Sequence, residues 1–256
     1  KMEGGTMESY MNRISNTGIV PVVKILEKED AYPLAKALLN GGIDVIEVTY
    51  RSEHATSAIQ TISEQLPDML VGAGTVLSVE QAKEAVEAGA KFIITPGFNT
   101  KVVQWCLDHD VEVYPGVSTA SEVEMALSMG LTQLKFFPAE SSGGAKKLKD
   151  LSAPYANVHF MPTGGINTKN MHDYLSLPNV EAIGGSFMLP NDLVVAKDWD
   201  GIEALSRSAI KSLLDFQLIH VGINTNSPEE SKQVTDTLCS LFHFTQYTKP
   251  KSNFAG

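Results

Sequence analysis

A lysine and a glutamate occur in this sequence where apolar residues would be expected. Lys135 lies in the run LTQLKFFPAE (131–140), and Glu47 lies in the equally apolar run DVIEVTY (44–50). Removing an ammonium or a carboxylate from water is costly unless the charge is paired. Two explanations follow: the side chains form a buried ion pair, or the lysine is a nucleophile whose protons the carboxylate carries.

Glycine-rich turns offer a second kind of chemistry. TGG occupies residues 163–165, and GGS occupies residues 184–186. Adjacent glycines let backbone N–H groups approach an anion closely. A single glycine pair is more often a plain turn. Two pairs that follow successive apolar runs favour a phosphate site.

These residues are positioned by a repeating pattern of short apolar runs. Eight such runs begin 20 to 26 residues apart, which is the spacing of strand–helix units. The runs are residues 18–24, 44–50, 70–76, 91–97, 111–117, 133–139, 159–166 and 181–187. Helix signals stand between them: Ser78 is a predicted N-cap, and Gly89 ends the same helix.

Strands that alternate with helices predict a parallel sheet buried on both faces. Eight units favour closure into an α/β (β/α)8 TIM barrel, which we place at residues 17–215. An open doubly wound sheet is the alternative. Such a sheet usually has a glycine-rich turn after its first strand when it binds dinucleotides. The segment ILEKEDAY, which follows the first run, contains no glycine.

In a barrel the reactive side chains project from the carboxyl ends of the strands. Glu47 shares a strand face with Thr49, and Lys135 shares one with Phe137. The more apolar face of each strand is expected to pack on the helices. Glu47 and Lys135 are therefore both predicted to point into the barrel.

The net charge and the cysteine and histidine content limit the classes of ligand that the protein can bind. The net charge is −10 and the pI is near 5.1, which argues against a nucleic acid or an anionic membrane. An anionic ligand must therefore be held by a few local cations and backbone N–H groups. Two cysteines, Cys106 and Cys239, are too few for a disulfide scaffold and favour the cytoplasm. The histidines show no metal-binding spacing, so no metal site is predicted.

Both ends of the chain are expected to lie outside the barrel. Residues 1–16 are predicted to be an N-terminal tail without the apolar region of a signal peptide. Residues 216–256 are predicted to be a short α/β appendage made of a strand, a capped helix and an apolar end. The stretch HVGINTNSPEES is similar to the start of a glyoxalase-like unit, where a histidine at the position of His220 can bind metal. The segment is too short for such a module, so a packing or oligomerisation role is favoured.

Seven motifs occur in order with consistent spacing: IEVTYR, GAGTV, ITPGF, YPGVSTASE, LKFFPAE, PTGGI and GGSF. Together they resemble the 2-keto-3-deoxy-6-phosphogluconate (KDPG) and 4-hydroxy-2-oxoglutarate (KHG) aldolase family, across roughly residues 17–212. The set is specific, although no single motif is. The resemblance implies a (β/α)8 barrel, a class I lyase that needs no metal or cofactor, and a homotrimer.

The resemblance also implies roles for individual residues. Lys135 matches the Schiff-base lysine, and Glu47 matches the general acid and base. The other matches are Arg51, Thr75 and Thr163 at the pyruvate carboxylate, Gly164, Gly165, Gly185 and Ser186 at the phosphate, and Pro96 and Phe137 in the pocket wall.

The implied reaction is the reversible cleavage of KDPG to pyruvate and glyceraldehyde 3-phosphate through a Schiff base on Lys135. Cleavage of KHG to pyruvate and glyoxylate is a second expected activity. The expected partners are small molecules, namely keto-deoxy sugar acid phosphates and pyruvate, with no nucleic acid and no membrane. Two alternatives stay open: an aldolase for the galactonate analogue, and a phosphate-sugar barrel enzyme that is not an aldolase.

Overall fold

The structure is a computed structural model that describes residues 10–214 and 227–242. The chain divides into two compact units, Lys1–Asp215 and Phe216–Gly256. All of the described strands belong to the first unit. The described part of the second unit is a helix.

Short parallel strands form the centre of the first unit. They are β1 (Ile19–Val23), β2 (Val45–Thr49), β3 (Leu70–Gly74), β4 (Phe92–Ile94), β5 (Glu112–Tyr114), β6 (Gly116–Val117), β7 (Gln133–Phe136), β8 (His159–Pro162) and β9 (Ile183–Gly185). Six of them form a sheet in the order β5-β4-β3-β2-β1-β9, and three form a sheet in the order β6-β7-β8.

The prediction that residues 111–117 form one continuous strand was wrong. The segment is divided at Pro115 into β5, which pairs with β4, and β6, which pairs with β7. Proline has no backbone N–H to donate to a neighbouring strand. Its carbonyl still accepts a hydrogen bond from the Lys135 N–H at 3.0 Å. The break therefore falls where the chain passes from one sheet to the other.

Contacts also join the far ends of the two sheets. Isolated parallel bridges pair Phe160 with Val180 and Thr163 with Gly184. These bridges bring β8 alongside the strand region of β9, which itself pairs with β1. The first unit is therefore an α/β fold with a curled parallel sheet.

Helices follow most of the strands. They are α1 (Tyr10–Thr17), α2 (Ala31–Asn40), α3 (Ala55–Gln65), α4 (Val79–Glu87), α5 (Thr100–Asp108), α6 (Ala120–Ser128), α7 (Gly144–Ser152), α8 (Met171–Leu175), α9 (Asn191–Ala196), α10 (Trp199–Leu214) and α11 (Pro228–Phe242). The Ser78 hydroxyl accepts the Gln81 N–H at 3.2 Å, which confirms the predicted N-cap of α4. In the described part of the chain, none of these helices has the length and apolar character needed to cross a bilayer.

Helix α1 occupies part of the segment that was expected to be a tail. Met11 and Ile14, one turn apart, are buried in a cluster with inward side chains of the strands. The Arg13 guanidinium lies 2.9 Å from the Asp44 carboxylate, and the Tyr10 N–H donates to Glu112 at 2.9 Å. Residues 10–16 are thus part of the folded unit, contrary to the expectation. The i, i+3 spacing of Met11 and Ile14 is the signal that indicates this helix.

Two apolar clusters confirm the predicted division of strand faces. Val45 belongs to the inner cluster, with Met161 and the α1 side chains. Ile46, Val48 and Leu134 belong to the cluster that packs against the helices. Because side chains alternate along a strand, Glu47 and Lys135 project from the inner face.

Helix α11 is the described part of the second unit. The Ser227 hydroxyl accepts the Glu230 N–H at 3.1 Å, so the capped helix predicted in this segment is confirmed. The predicted strand before it and His220 lie outside the described residues.

Candidate active site

A buried ion pair lies on the inner face of the curled sheet. The Lys135 Nζ donates to Glu47 Oε1 at 3.1 Å and to Oε2 at 3.3 Å. Glu47 is fully buried, and Lys135 is 4% exposed. The two residues are 88 positions apart in sequence, on β2 and β7. The fold therefore brings together the two charges that the sequence predicted to face inward, at a distance that permits direct proton transfer.

Gly74 makes room for the Glu47 carboxylate. A Cβ at position 74 would lie only 2.0 Å from Glu47 Oε1 and 2.4 Å from its Cγ. Gly74 pairs with Thr49 in the adjacent strand, so it faces the same side of the sheet as Glu47. The glycine of the GAGTV motif is therefore required by space. A larger residue would displace the carboxylate from the lysine.

An aromatic ring covers one side of the amine. The Lys135 Nζ lies 5.4 Å from the centroid of the partly buried Phe137 ring. This places Phe137, one of the two predicted wall residues, beside the amine. Pro96, the other predicted wall residue, lines a separate hollow with Thr95, Gly97 and neighbouring residues of the loop that follows β4.

Arg51 and Ser186 line one cavity of about 390 Å³ at the carboxyl ends of β1, β2 and β9. The Arg51 Nε donates to the Thr49 hydroxyl at 3.1 Å. That hydroxyl donates in turn to the Val23 carbonyl at 2.7 Å. These bonds hold one edge of the guanidinium. No carboxylate from the described residues pairs with it, so its other N–H groups can bind an anion.

Lys24 lines the same cavity, although the sequence pattern did not single it out. It follows β1 and is an even number of positions from Val20, whose side chain belongs to the inner cluster. Because side chains alternate along a strand, Lys24 continues the inner face. It is exposed and makes no ion pair within residues 10–214 and 227–242. A lysine that ends the first apolar run, GIVPVVK, is the signal that could have identified it. Two cations thus face one cavity in a chain whose net charge is −10.

The two glycine-rich turns lie side by side. Thr163 pairs with Gly184 across the end of the sheet. A Cβ at Gly184 would lie 2.2 Å from the Thr163 hydroxyl oxygen, so glycine is needed for this approach. Gly164 and Gly165 have φ values of 104° and 82°, in the region that favours glycine. Gly185 is buried, whereas Ser186 is exposed at the cavity.

Thr75 has an unusual backbone conformation. Its φ is 54°, which is uncommon for a β-branched residue. Such residues cost on the order of 1–3 kcal/mol and cluster at functional sites. Thr75 directly follows Gly74 at the end of β3, but it is not among the residues that line the cavity of Arg51 and Ser186.

Potential metal ligands are dispersed. Across residues 10–214 and 227–242, no group of three or more histidine, cysteine, aspartate or glutamate side chains is arranged to hold a metal ion. Burial raises the pKa of the Cys106 thiol to about 12, so this buried cysteine is a poor nucleophile.

Comparison with known proteins places the chain in a family. Residues 10–205 match the family described as KDPG and KHG aldolase. The chain is 44% identical over 205 residues to a 2-dehydro-3-deoxy-phosphogluconate aldolase of Treponema pallidum (strain Nichols), covering 80% of this chain and 98% of that protein. It is also 44% identical over 199 residues to a KHG/KDPG aldolase of Escherichia coli (strain K12), covering 77% and 93%.

A solved structure shows the same fold. It is the KDPG aldolase from Legionella pneumophila, with pyruvate captured at low pH as a covalent carbinolamine intermediate. The TM-score is 0.76 at 40% sequence identity, and the match covers 79% of this chain and 98% of that one. The family match spans most of the chain, and these relatives are covered almost from end to end. This chain therefore belongs to the KDPG and KHG aldolase family.

Proposed function

We propose that the protein is a class I aldolase, a lyase that reversibly cleaves KDPG to pyruvate and glyceraldehyde 3-phosphate. The observation that supports this most directly is the buried contact between Lys135 and Glu47 at 3.1 Å. It supplies an amine and a proton carrier in one apolar site. The relatives named 2-dehydro-3-deoxy-phosphogluconate aldolase and KHG/KDPG aldolase, each at 44% identity, support the same reaction.

Lys135 acts as the nucleophile. Its amine, after giving up a proton, attacks the C2 ketone of the substrate and forms a carbinolamine. Loss of water then gives an iminium ion. The iminium accepts the electron pair of the C3–C4 bond as that bond breaks, which leaves an enamine of pyruvate on Lys135 and an aldehyde. Protonation of C3 and hydrolysis release pyruvate and restore the amine.

Glu47 carries the protons of these steps. It contacts the amine directly, so it can accept the proton that Lys135 loses. During cleavage it takes the C4 hydroxyl proton, directly or through a water molecule, and later returns a proton to C3. Its complete burial excludes bulk water from competing for the enamine.

Anion-binding groups hold the two ends of the substrate. We assign Arg51, Thr75 and Thr163 to the carboxylate of the pyruvate half. We assign the phosphate to the backbone N–H groups of the two turns and to Ser186, with Lys24 as an additional cation. The assigned turn residues are Gly164, Gly165 and Gly185. The shared cavity of Lys24, Arg51 and Ser186 supports a site for more than one negative charge.

The same site suits KHG as a second substrate. Its cleavage yields pyruvate and glyoxylate through the same Schiff base. KHG differs only in the aldehyde half, which is shorter and has a carboxylate directly on C4 in place of the C5–C6 segment and its phosphate. The KHG/KDPG aldolase of Escherichia coli at 44% identity supports this activity. The relatives with which the chain is compared do not favour the galactonate analogue.

We further propose that the curled sheet is closed into one (β/α)8 barrel. Two observations support closure. β5 and β6 are consecutive and join the two sheets at Pro115. The bridges of Phe160 and Thr163 join β8 to the region of β9. Counting β5 and β6 as one interrupted strand gives the eight strands expected of a barrel.

The assembly, location and end segments stay predictions. We propose a cytoplasmic homotrimer, in which exposed apolar side chains such as Leu77 and Met125 are candidates for burial between subunits. We propose that residues 17–215 form the aldolase barrel, to which α1 adds. We propose that residues 216–256 are an appendage for packing or oligomerisation.

Analytical ultracentrifugation of the full chain, and of a chain ending at residue 215, tests the homotrimer and the role of residues 216–256 in forming it.

Reduction of the adduct tests the reaction. The protein is incubated with pyruvate and sodium borohydride, then digested and analysed by mass spectrometry. We expect one reduced pyruvate adduct, located on Lys135, and KDPG cleavage that a coupled assay for pyruvate detects. An unmodified Lys135, or an adduct on another lysine, would refute the assignment.

A further inference from the structure

Glu140 and Tyr174 form a polar pair behind the TGG turn. Tyr174 lies on α8 and is 1% exposed. Its hydroxyl donates a hydrogen bond to Glu140 Oε1. Glu140 belongs to the FFPAE motif after β7, and none of the roles assigned above involves it. A buried tyrosine that holds a carboxylate beside a functional turn calls for a physical reason.

The Glu140 side chain packs directly against Gly165. A Cβ at Gly165 would lie 2.6 Å from Glu140 Cγ and 2.8 Å from its Cβ. The backbone is joined at the same place, because the Glu140 N–H donates to the Gly164 carbonyl at 3.1 Å. The preceding Ala139 N–H donates to the Thr163 carbonyl at 2.8 Å. Glu140 therefore contacts the turn through both its backbone and its side chain.

A second residue, Asn170, also holds the turn. The Asn170 side-chain amide donates to the Gly165 carbonyl at 3.1 Å, and its oxygen accepts the Asn167 N–H at 2.8 Å. The carbonyl groups of Thr163, Gly164 and Gly165 are thus all used in hydrogen bonds within the protein. With its carbonyls directed to the protein, the turn can present N–H groups to an anion.

We propose that Glu140, held by Tyr174, is a positioning residue that sets the TGG turn for the substrate phosphate. This inference rests on the proposed function, in which the turn binds that phosphate. Fixing the turn before the ligand arrives removes the ordering cost that binding would otherwise include. The Glu140 side chain packs on Gly165, which is assigned to the phosphate and not to the pyruvate carboxylate. Replacing that side chain should therefore act on the phosphate half of the substrate.

The Tyr174 hydroxyl also affects the electrostatics of the phosphate site. A carboxylate near a phosphate site repels the ligand, and it does so less when a hydrogen-bond donor holds it away from the ligand and disperses part of its charge. Burial, followed by the bond to Glu140, raises the pKa of the Tyr174 hydroxyl above its ordinary value. The hydroxyl therefore stays protonated throughout the neutral range and keeps donating to the carboxylate.

Four variants test the proposal. Tyr174→Phe and Glu140→Ala remove the pair, whereas Glu140→Gln keeps an oxygen that can accept the tyrosine hydrogen bond. The matched control is Tyr155→Phe, which removes another tyrosine–glutamate bond, Tyr155 to Glu124 at 3.0 Å, on an exposed surface. The measurements are KM and kcat for KDPG, and the pyruvate concentration that gives half-maximal borohydride trapping on Lys135.

We expect Tyr174→Phe and Glu140→Ala to raise the KM for KDPG about tenfold, as loss of preorganised hydrogen bonds would. Their half-maximal pyruvate concentration should stay within about twofold of wild type, since pyruvate lacks the phosphate. Glu140→Gln and Tyr155→Phe should leave both values near wild type.

Two outcomes would overturn the proposal. One is an unchanged KM for KDPG in Tyr174→Phe and Glu140→Ala. The other is an equal weakening of KDPG and pyruvate binding, which would show that the pair only supports the fold. Failure of the proposed function looks different, because the wild-type protein would then trap no pyruvate on Lys135.

Discussion

The proposed reactive pair, Glu47 and Lys135, and the proposed anion-binding rim, Lys24, Arg51 and Ser186, are built in opposite ways. Glu47 and Lys135 lie on strands, are almost completely buried, and contact each other at 3.1 Å. Lys24, Arg51 and Ser186 follow strands, are exposed, and line a cavity without contacting one another closely enough to bond. The first region is fixed by strand register, whereas the second depends on the loops that surround it.

This difference is consistent with separate roles for the two regions, one in the chemical steps and the other in substrate binding. A rigid buried pair suits bond making and breaking, where small displacements are costly. An open rim of cations suits the capture of substrates with different anionic ends, since cations at the mouth of a cavity raise the local concentration of anions without fixing their geometry. Reactions at the pair should therefore respond sharply to single substitutions, and substrate affinity should respond more mildly to substitutions at the rim.

The largest effect is expected from Lys135→Met. Without the amine no Schiff base forms, so aldolase activity and borohydride trapping of pyruvate should be lost. Glu47 is left buried without its partner, which should lower the free energy of unfolding by about 3–5 kcal/mol. The double variant Lys135→Met/Glu47→Gln removes both charges and should recover most of that stability in urea unfolding. Pyruvate still trapped by the single variant would contradict the assignment.

Glu47→Gln should be next in size. The amide cannot carry protons, so kcat for KDPG should fall by about 10²–10⁴-fold, the range for general acid–base catalysis. Lys135 remains, so borohydride should still trap pyruvate, but more slowly. A kcat within a few fold of wild type would mean that Glu47 is only the ion-pair partner of Lys135.

Gly74→Ala tests how precisely the pair is held. The added methyl would lie 2.0 Å from Glu47 Oε1, so the carboxylate must move. We expect kcat to fall by up to about 100-fold, as a displacement near 1 Å can cause. Gly97→Ala is the matched control, because a Cβ there meets nothing within 4 Å. If both variants keep wild-type kcat, the pair is more tolerant than we propose.

The smallest effect is expected at the rim. Lys24→Met should raise the KM for KDPG about tenfold, by loss of one charged contact, and leave kcat nearly unchanged. Lys28→Met removes the same charge from the same loop, but Lys28 does not line the cavity. It should therefore act as wild type. Equal KM values for the two variants would exclude Lys24 from the rim.

Part of the fold and of the site could be predicted because local patterns carry the information. The spacing of apolar runs predicted parallel strands and helices, and residue parity predicted that Glu47 and Lys135 face inward. The Ser78 cap was recognisable because it acts within one turn. Helix α1 was missed because its apolar face is short and becomes meaningful only when Met11 and Ile14 meet the inner cluster.

Other features could not be read from local patterns. In the sequence, Lys24 is an ordinary polar residue at the end of a strand. Only the structure shows that it lines the same cavity as Arg51 and Ser186. Likewise, the sequence shows no special role for Tyr174, and only the structure shows that its hydroxyl donates a hydrogen bond to Glu140, 34 positions away. Residues 111–117 were predicted to be one strand, and only the pairing of β5 and β6 with different neighbours shows that the strand is interrupted at Pro115.

The sequence by itself determined the alternation of strands and helices, the inward side of each strand, and the choice of Lys135 and Glu47 as the candidate reactive pair. Tertiary structure alone decided which groups meet: Lys135 with Glu47, Gly74 with the carboxylate, and Glu140 with the TGG turn. The physical reason is that periodicity acts within one element. Contact distances depend instead on the register and curl of strands that are far apart in the chain.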